Sequence, residues 1–430
     1  MAILQNITKL SSGGRAWRSR GRTLLAGVSL LVASVVQAAP EHDETELVVA
    51  ADLSLSDVMA AAVQRHPQRG LLAAQAASSE AQVRFGNRWM PEATQLNGYH
   101  LSDKPFDDTG AVESQLAVSF PVWMPGEKRA QEALGEAATE TQAARETGFR
   151  WQLSGEVRRQ LWSLSLARRQ WQLAGEQEQR LQQVLEQVSR FEEAGELSRA
   201  DLLSTMQELA VWKAETIALE AAYQDAARSY QALTGLSIMP EKLDEPLSTV
   251  EDAGPGHPAL KLASDRMAEA DAAQEVVIQA SSSRPTVDVY WRGFQGDRNT
   301  PNVDSLGIGF TVPLGKSPRK GPEIARAREA YAKAESDYLQ ARRDVELQLH
   351  EARHQLKTVR HQLANSEEMI KTATEKYTLD RLAFELGEIS TNQWLRRLSE
   401  YKEIERSHQL LQVRRGAAIA AYNQAVGESL

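Results

Sequence analysis

The sequence predicts an α+β protein made mostly of long α-helices, and three observations carry this prediction. Its 430 residues are rich in Ala, Leu, Gln, Glu and Arg, which favour helices, and only 6% are aromatic. Two long segments, at about residues 127–194 and 323–386, have uninterrupted helical patterns. Four short segments alternate apolar and polar residues, which is typical of β-strands. Together these features indicate long helical hairpins joined to a small sheet.

The chain contains an internal duplication. The segment "GELS" at Gly195 is matched by "GEIS" at Gly387, and "ALTG" ending at Gly235 is matched by "QAVG" ending at Gly427. Both pairs are 192 residues apart, as are the prolines of "SFPV" and "FTVPL". One unit, which runs helix, strand, strand, long helix, turn and helix, is therefore used twice.

The duplication sets the expected boundaries of the chain's parts. We expect a single helix from about Leu55 to Trp89 before the first strands, and its counterpart from Ala259 to about Ser283. Residues 236–256 are rich in Pro, Gly and acidic side chains, which is typical of a linker. An N-terminal extension is expected at 39–52. The first repeat is expected at 53–235, with strands at about 92–101 and 113–122 and a turn near 195. The second repeat is expected at 257–427, with strands at about 286–294 and 305–314 and a turn near 387.

The N-terminus indicates export. Four arginines precede an apolar run from Leu24 to Val36, and small residues precede a plausible cleavage site after Ala38. The run has about 13 residues, fewer than the ~20 that a membrane-spanning helix needs. We therefore expect a signal peptide at residues 1–38 rather than a transmembrane anchor, and no later apolar run reaches spanning length.

Charge and cysteine content exclude several classes of function. The formal net charge is -9, and residues 1–38 carry five cations and no acidic residue, so their removal leaves -14. A chain this acidic is disfavoured as a nucleic-acid binder. It has no cysteine, so we expect no disulfide, no thiol chemistry and no lipid anchor on the exported chain.

The predicted strands carry apolar side chains on one face only. Four strands cannot close a barrel, and open sheet edges cannot face lipid, so we expect copies from other subunits to complete a barrel. The alternative is an ordinary half-buried sheet. The apolar positions are Leu116, Val118, Phe120 and Val122 in the first repeat, and Leu306, Ile308, Phe310 and Val312 in the second.

Each long helix is followed by a signal to stop and restart. Gly195 is suited to a left-handed turn, and Ser198 with Asp201 has the spacing of a capping box at the next helix. Any antiparallel helix pair needs such a turn, but a turn at the end of a very long hairpin is also placed to reach a partner. The second repeat has the same signal at Gly387, Ser390 and Gln393.

Taken together, these features resemble the TolC-like outer-membrane factor family. The resemblance covers residues from about 53 to 427 and rests on the duplicated order, the two glycine turns and the opening helix "LSLSDVMAAAVQRHPQRGLLAAQ". It implies a homotrimer with a twelve-stranded barrel in the outer membrane and a hollow helical tunnel in the periplasm. It also implies a passive exit duct with no enzymatic activity and no cofactor, which works with a periplasmic adaptor and an inner-membrane transporter of RND type.

The resemblance further implies that the hairpin turns dock the adaptor and close the tunnel. Family members often carry acidic rings after the second turn, whereas this chain has Arg396 and Arg397 there. These arginines either form a constriction or make ion pairs between helices. The docking and closing residues implied by the resemblance are Gly195, Ser198, Asp201, Leu202, Gly387, Ser390, Gln393 and Trp394.

No catalytic motif accompanies these features. His350, His354 and His361 share one helical face, which is either a metal site or simply the solvated face of an amphipathic helix. Trp89 and Trp123 either belong to an aromatic girdle at the membrane surface or pack where helix meets strand.

The cargo is the least determined part of the prediction. The heavy-metal branch of the family favours divalent metal cations, and the alternatives are organic toxicants or antibiotics, or type I secretion. A periplasmic coiled-coil scaffold without a pore is the competing hypothesis of another class.

Overall fold

A computed structural model describes residues 47–430 apart from 281–283 and 315–319. The expected signal peptide at 1–38 and most of the expected extension at 39–52 lie outside the described residues. Within the described ranges, no helix combines the length and the apolar character needed to cross a membrane.

The described chain is mostly helical, and its elements follow the duplicated order predicted from the sequence. The helices are α1 (Leu55–Arg65), α2 (Gln68–Gly86), α3 (Glu127–Glu193), α4 (Arg199–Thr234), α5 (Pro258–Gln279), α6 (Lys320–Glu385) and α7 (Thr391–Ala425). The strands are β1 (Val48–Ala50), β2 (Gln95–Ser102), β3 (Val112–Pro121), β4 (Ile238–Pro240), β5 (Thr286–Gln295) and β6 (Val303–Thr311).

Two very long helices organise the fold. Helix α3 has 67 residues and α6 has 66, so each is about 100 Å long. Helix α3 packs against α2 and α4, and α6 packs against α5 and α7. Helix α3 also packs against α5 and α7, which joins the two repeats. The lateral order is therefore α2, α3, α5, α6 nearer the sheet and α4, α3, α7, α6 nearer the turns.

The largest buried cluster surrounds the middle of α3. Leu153, Val157 and Leu161 of α3 are buried against Tyr223 and Tyr230 of α4. Such apolar side chains at helical spacing hold the long hairpin together by removing apolar surface from water.

The single helix expected from Leu55 to Trp89 is wrong. Helix α1 ends at Arg65 and α2 begins at Gln68, because Pro67 lacks a backbone N–H and forces the preceding His66 into an extended conformation with ψ of 130°. Helix α2 then ends at Gly86, so Trp89 lies outside it. Helix α5 ends at Gln279, a little before the expected position.

The segment expected to be a linker contains a short strand. Strand β4 pairs in parallel with β1, and both strands were missed because three residues are too few for a periodic pattern. The Tyr230 hydroxyl donates a hydrogen bond to the Ile238 carbonyl oxygen at 2.9 Å, and Leu243 is buried. Residues 236–256 are therefore held against the helices rather than hanging free.

The remaining strands form one antiparallel sheet in the order β2, β3, β5, β6. Strand β6 ends at Thr311, whereas the sequence predicted a strand to about 314. Proline at 313 explains the early end, since it cannot donate a ladder hydrogen bond.

Candidate functional site

One face of the four-stranded sheet is apolar and open. Trp291 lies opposite Leu116 on one side and Leu306 on the other, and Val289 lies opposite Val118 and Ile308. Leu306 is 83% exposed and Phe310 is 73% exposed. Because exposed apolar surface of this extent is rare on soluble monomers, this face marks a contact with lipid or protein.

The opposite face of the sheet is polar. The Tyr99 hydroxyl donates to Glu113 Oε1 at 2.6 Å, and Arg292 Nε donates to the same oxygen at 2.8 Å. Asn97 donates to the Ser119 hydroxyl at 2.9 Å. The sheet therefore separates an apolar environment from an aqueous one.

Both edges of this sheet are unpaired among the described residues. Strand β2 has β3 as its single neighbour, and β6 has β5. Each edge thus presents a row of backbone N–H and C=O groups that need a partner.

An ion-pair network fixes the joint between sheet and helices. Glu127 at the start of α3 is fully buried, and Arg284 Nη1 donates to its Oε1 at 2.5 Å. Arg284 Nε also donates to Glu92 Oε1 at 2.9 Å. Sequence reasoning missed this network, because Glu92 and Arg284 lie 192 residues apart and no local pattern indicates that they meet.

The two tryptophans at this joint behave differently. Trp123 packs edge-on against Phe85 and donates its indole N–H to the Arg88 carbonyl oxygen at 3.1 Å. Trp89 is 83% exposed. The structure therefore places Trp123 in the packed joint and leaves Trp89 free to meet the surroundings.

Both turns at the far end of the hairpins are built around left-handed glycines. Gly195 has φ of +79° and Gly387 has φ of +72°, and no other group lies within 4 Å of an added Cβ at either position. Glycine is therefore needed at both turns for the left-handed backbone conformation, and not because a larger side chain would lack space.

Capping boxes restart the chain after each turn. Ser198 Oγ accepts from the Asp201 N–H at 3.2 Å, and Asp201 Oδ2 accepts from the Ser198 N–H at 3.2 Å. Ser390 and Gln393 repeat this exchange at 3.4 and 3.1 Å. Each box satisfies helix N–H groups that have no partner within the helix.

A direct hydrogen bond joins the two turns. The Asn392 side-chain amide donates to Asp201 Oδ1 at 3.1 Å, across 191 residues of sequence. Sequence reasoning missed Asn392, because nothing in its local pattern indicates that the two hairpins end side by side.

The two arginines after the second turn have different surroundings. Arg397 Nη1 donates to Asp380 Oδ1 at 2.5 Å, and Lys376 lies 3.6 Å from Asp380 Oδ2, so Arg397 takes part in an ion pair between α7 and α6. Arg396 is exposed and forms no ion pair with any described residue.

Two of the residues expected to take part in docking are buried within the chain. Leu202 is 7% exposed and Trp394 is 6% exposed. Trp394 stacks against Phe384 at 5.4 Å and Tyr377 at 5.6 Å between ring centroids. These side chains pack within the hairpin ends.

A cleft of about 1240 Å³ separates the ends of the two hairpins. Arg190 and Phe191 of α3 line one wall, and Arg381 and Phe384 of α6 line the other. The Thr391 hydroxyl is buried in this region and has no hydrogen-bond partner among the described residues.

The three histidines on α6 point to solvent. His350, His354 and His361 are all exposed. Within the described ranges, no group of three or more His, Cys, Asp or Glu side chains is arranged to hold a metal ion.

Solved structures of outer-membrane proteins share this architecture. The outer membrane protein VceC of Vibrio cholerae has a TM-score of 0.71 and 13% identity over 87% of this chain and 96% of that one. The channel-forming protein CusC has a TM-score of 0.65 and 14% identity over 87% and 92%. The outer membrane channel CmeC of Campylobacter jejuni has a TM-score of 0.67 and 12% identity over 87% and 85%.

These likenesses establish the fold. No protein-family model and no curated protein sequence matches the chain. The chain nevertheless has the fold of TolC-like outer-membrane channels across most of its length, which confirms the fold class that the sequence predicted.

Proposed function

We propose that the chain is one subunit of a homotrimeric outer-membrane channel that serves as a passive exit duct. The observation that carries this proposal is the four-stranded sheet, which has an open apolar face and, within the part of the chain that the structure describes, an unpaired edge on each side. An unpaired backbone group in lipid costs several kcal/mol, so both edges need a partner before the sheet enters a membrane.

The sheet's own topology supports closure by further copies. Its strands alternate in direction, so β6 of one copy and β2 of the next meet in the antiparallel sense. Three copies give twelve strands, an even number that is typical of bacterial outer-membrane barrels. The polar face with Glu113 and Arg292 then lines the water-filled interior.

The helices of each subunit also end in two free lateral edges near the turns. The lateral order makes α4 one edge of each subunit near the turns and α6 the other, and both carry apolar side chains in the open. Contact between these edges in neighbouring subunits removes this surface from water. The exposed apolar residues are Leu203, Met206 and Ile217 on α4, Leu379 and Leu382 on α6, and Leu386 in the turn directly after α6.

We place the docking surface for a periplasmic adaptor, itself coupled to an inner-membrane transporter of RND type, at the two turns. Support comes from their position side by side, joined by Asn392 and Asp201. Gly195, Ser198 and Gly387 belong to the exposed part of this region.

For the cargo we propose divalent heavy-metal cations, with organic toxicants as the alternative. The support is the resemblance to the heavy-metal branch, and a duct of this kind leaves selectivity to the pump. A deletion strain that becomes sensitive to metal salts supports this cargo, and one that becomes sensitive only to antibiotics or dyes contradicts it.

Cell fractionation and electrophoresis test the channel itself. We expect the protein in the outer-membrane fraction as a trimer that dissociates on heating, and conductance in planar bilayers. Recovery as a soluble periplasmic monomer contradicts the proposal and favours a scaffold without a pore.

A matched pair of substitutions on β2 tests which face meets lipid. Leu96→Arg places a charge on the apolar face, at a cost of about 2–4 kcal/mol near the middle of the bilayer, and should reduce the trimer. Gln95→Arg places the same charge on the polar face one residue earlier and should assemble normally. Equal behaviour of the two variants contradicts lipid contact at Leu96.

A further inference from the structure

The turn between α2 and β2 lies at the boundary between the helices and the apolar face of the sheet. It carries Trp89, which is 83% exposed. The backbone beneath Trp89 is fixed, because the neighbouring Arg88 carbonyl oxygen accepts the indole N–H of Trp123 at 3.1 Å. A large aromatic side chain is thus held in the open at a defined place.

Two arginines precede this tryptophan, one at the end of α2 and one directly before Trp89. The Arg84 side chain is 66% exposed and lies 3.2 Å from Glu80. Arg88 is exposed and forms no ion pair with any described residue. Both line a surface depression of about 630 Å³, whose other walls are Ala81, Phe85 and Asn87. The depression is therefore lined by two basic side chains and one aromatic side chain, and Trp89 directly follows Arg88 in the chain.

This combination has a specific chemical meaning in so acidic a protein. The chain carries a net charge of -9, so an exposed arginine without a carboxylate partner is available to an outside anion. A guanidinium group binds phosphate through two parallel hydrogen bonds. Tryptophan favours the zone where lipid tails meet headgroups, because its ring is apolar and its N–H is polar.

We propose that this depression binds the phosphate of an anionic phospholipid headgroup. Arg88 and Arg84 contact the phosphate, Phe85 packs against the glycerol backbone, and the Trp89 ring lies among the first carbons of the tails. This site rests on the proposed insertion into the outer membrane, and it fixes the depth at which the apolar face of the sheet meets the periplasmic lipid surface.

Lipid binding to the full chain tests the site. The purified trimer in detergent is titrated with phosphatidylglycerol, and bound lipid is counted by native mass spectrometry. We expect Arg88→Gln to weaken binding about fivefold, as for the loss of one basic residue at an anionic membrane surface. Trp89→Ala should weaken it to a similar extent.

Matched controls come from the opposite ends of the molecule. Arg396 is also exposed and pairs with no acidic side chain among the described residues, but it lies near the hairpin turns. Phe106 is 90% exposed but lies in the loop at the other end of β2. Arg396→Gln and Phe106→Ala should bind phosphatidylglycerol as the wild type does.

The possible results separate this proposal from the channel proposal. Equal lipid binding by Arg88→Gln and Arg396→Gln overturns the headgroup site, while a heat-dissociable trimer in both variants leaves the channel intact. Displacement of the lipid by millimolar inorganic phosphate also overturns it, since the site would then not require a lipid. Loss of the trimer in Arg88→Gln alone assigns Arg88 to a contact between subunits and likewise overturns the site.

Discussion

The side-chain amide of Asn392 lies 3.1 Å from Asp201 Oδ1, so a capping residue of one hairpin bonds to a first-turn residue of the other. Asp201 uses its other carboxylate oxygen to accept from the Ser198 N–H and hydroxyl at 3.2 and 2.6 Å. One carboxylate therefore both starts α4 and fastens the two hairpin ends together. Its removal affects two structures, whereas removal of Asn392 affects only the link between them.

The link between the turns can be tested alone with Asn392→Ala. Because Asn392 is exposed, we expect global stability to change by less than about 0.5 kcal/mol. Amide hydrogen exchange should become faster around residues 196–203 and 388–393, where the hairpin ends lose their mutual restraint. The control is Asn365→Ala, an exposed asparagine on α6, which should leave exchange at the turns unchanged. Unchanged exchange in Asn392→Ala itself would show that the hydrogen bond does not restrain the turns.

Two glycines with open surroundings should respond oppositely to alanine. Gly195 has φ of +79°, and Gly175 lies within α3, and an added Cβ meets nothing within 4 Å at either position. Gly195→Ala should destabilise the hairpin by about 1–2 kcal/mol, because a left-handed conformation crowds Cβ. Gly175→Ala should stabilise it by up to about 1 kcal/mol, because alanine is the better helix former. Thermal unfolding of the two variants gives the signs, and a shared sign contradicts the explanation.

Substitution of the two turn glycines by valine tests whether the turns matter for export. Gly195→Val and Gly387→Val should reduce export while the trimer still assembles, because the strain is confined to the turns. Export is measured as resistance to the cargo in a deletion strain that carries each variant. Normal export by both variants contradicts the docking role of the turns.

A buried ion pair fastens the segment between the repeats. Arg158 Nη2 lies 2.6 Å from Glu245 Oε2, with side chains 5% and 10% exposed, and Arg158 also donates to Gln424 Oε1 at 2.6 Å. Arg158→Ala leaves Glu245 without its partner and should cost about 3–5 kcal/mol. Arg353→Ala removes an exposed pair between α6 and the same segment and should cost less than about 1 kcal/mol. Denaturant unfolding measures both, and similar losses would show that burial is not the deciding factor.

Burial of His257 should make stability depend on pH. Burial lowers the pKa of His257, and the Ala425 backbone opposes this shift in part. Since the unfolded chain binds the proton near its ordinary pKa of about 6.5, the folded state is favoured fully above that pH and loses stability as the pH falls below it.

The asparagine variant tests this source of pH dependence. His257→Asn retains a capping side chain at the start of α5 but removes the titrating ring, so the difference in unfolding midpoint between pH 7.5 and 5.5 should shrink. His350→Asn, at an exposed position, should keep the wild-type difference. An unchanged pH difference in His257→Asn excludes His257 as its source.

The sequence by itself determined the features that depend on local backbone preference. Gly195 and Gly387 indicate left-handed turns because they lack Cβ, and Ser198 and Ser390 indicate helix starts because their hydroxyls accept backbone N–H groups. The alternation around Leu306 indicates a strand with two unlike faces. Because the whole unit occurs twice, each of these local signals in one repeat is supported by the same signal in the other.

Only the tertiary structure decided which distant groups meet. It paired Asn392 with Asp201, Arg397 with Asp380 and Arg284 with Glu127. It also placed β4 beside β1, because this pairing depends on how the helices pack. The neighbours of a residue in sequence set its backbone conformation. Its hydrogen-bond or ion-pair partner, however, depends on which distant helices and strands come together, and no local sequence pattern encodes this.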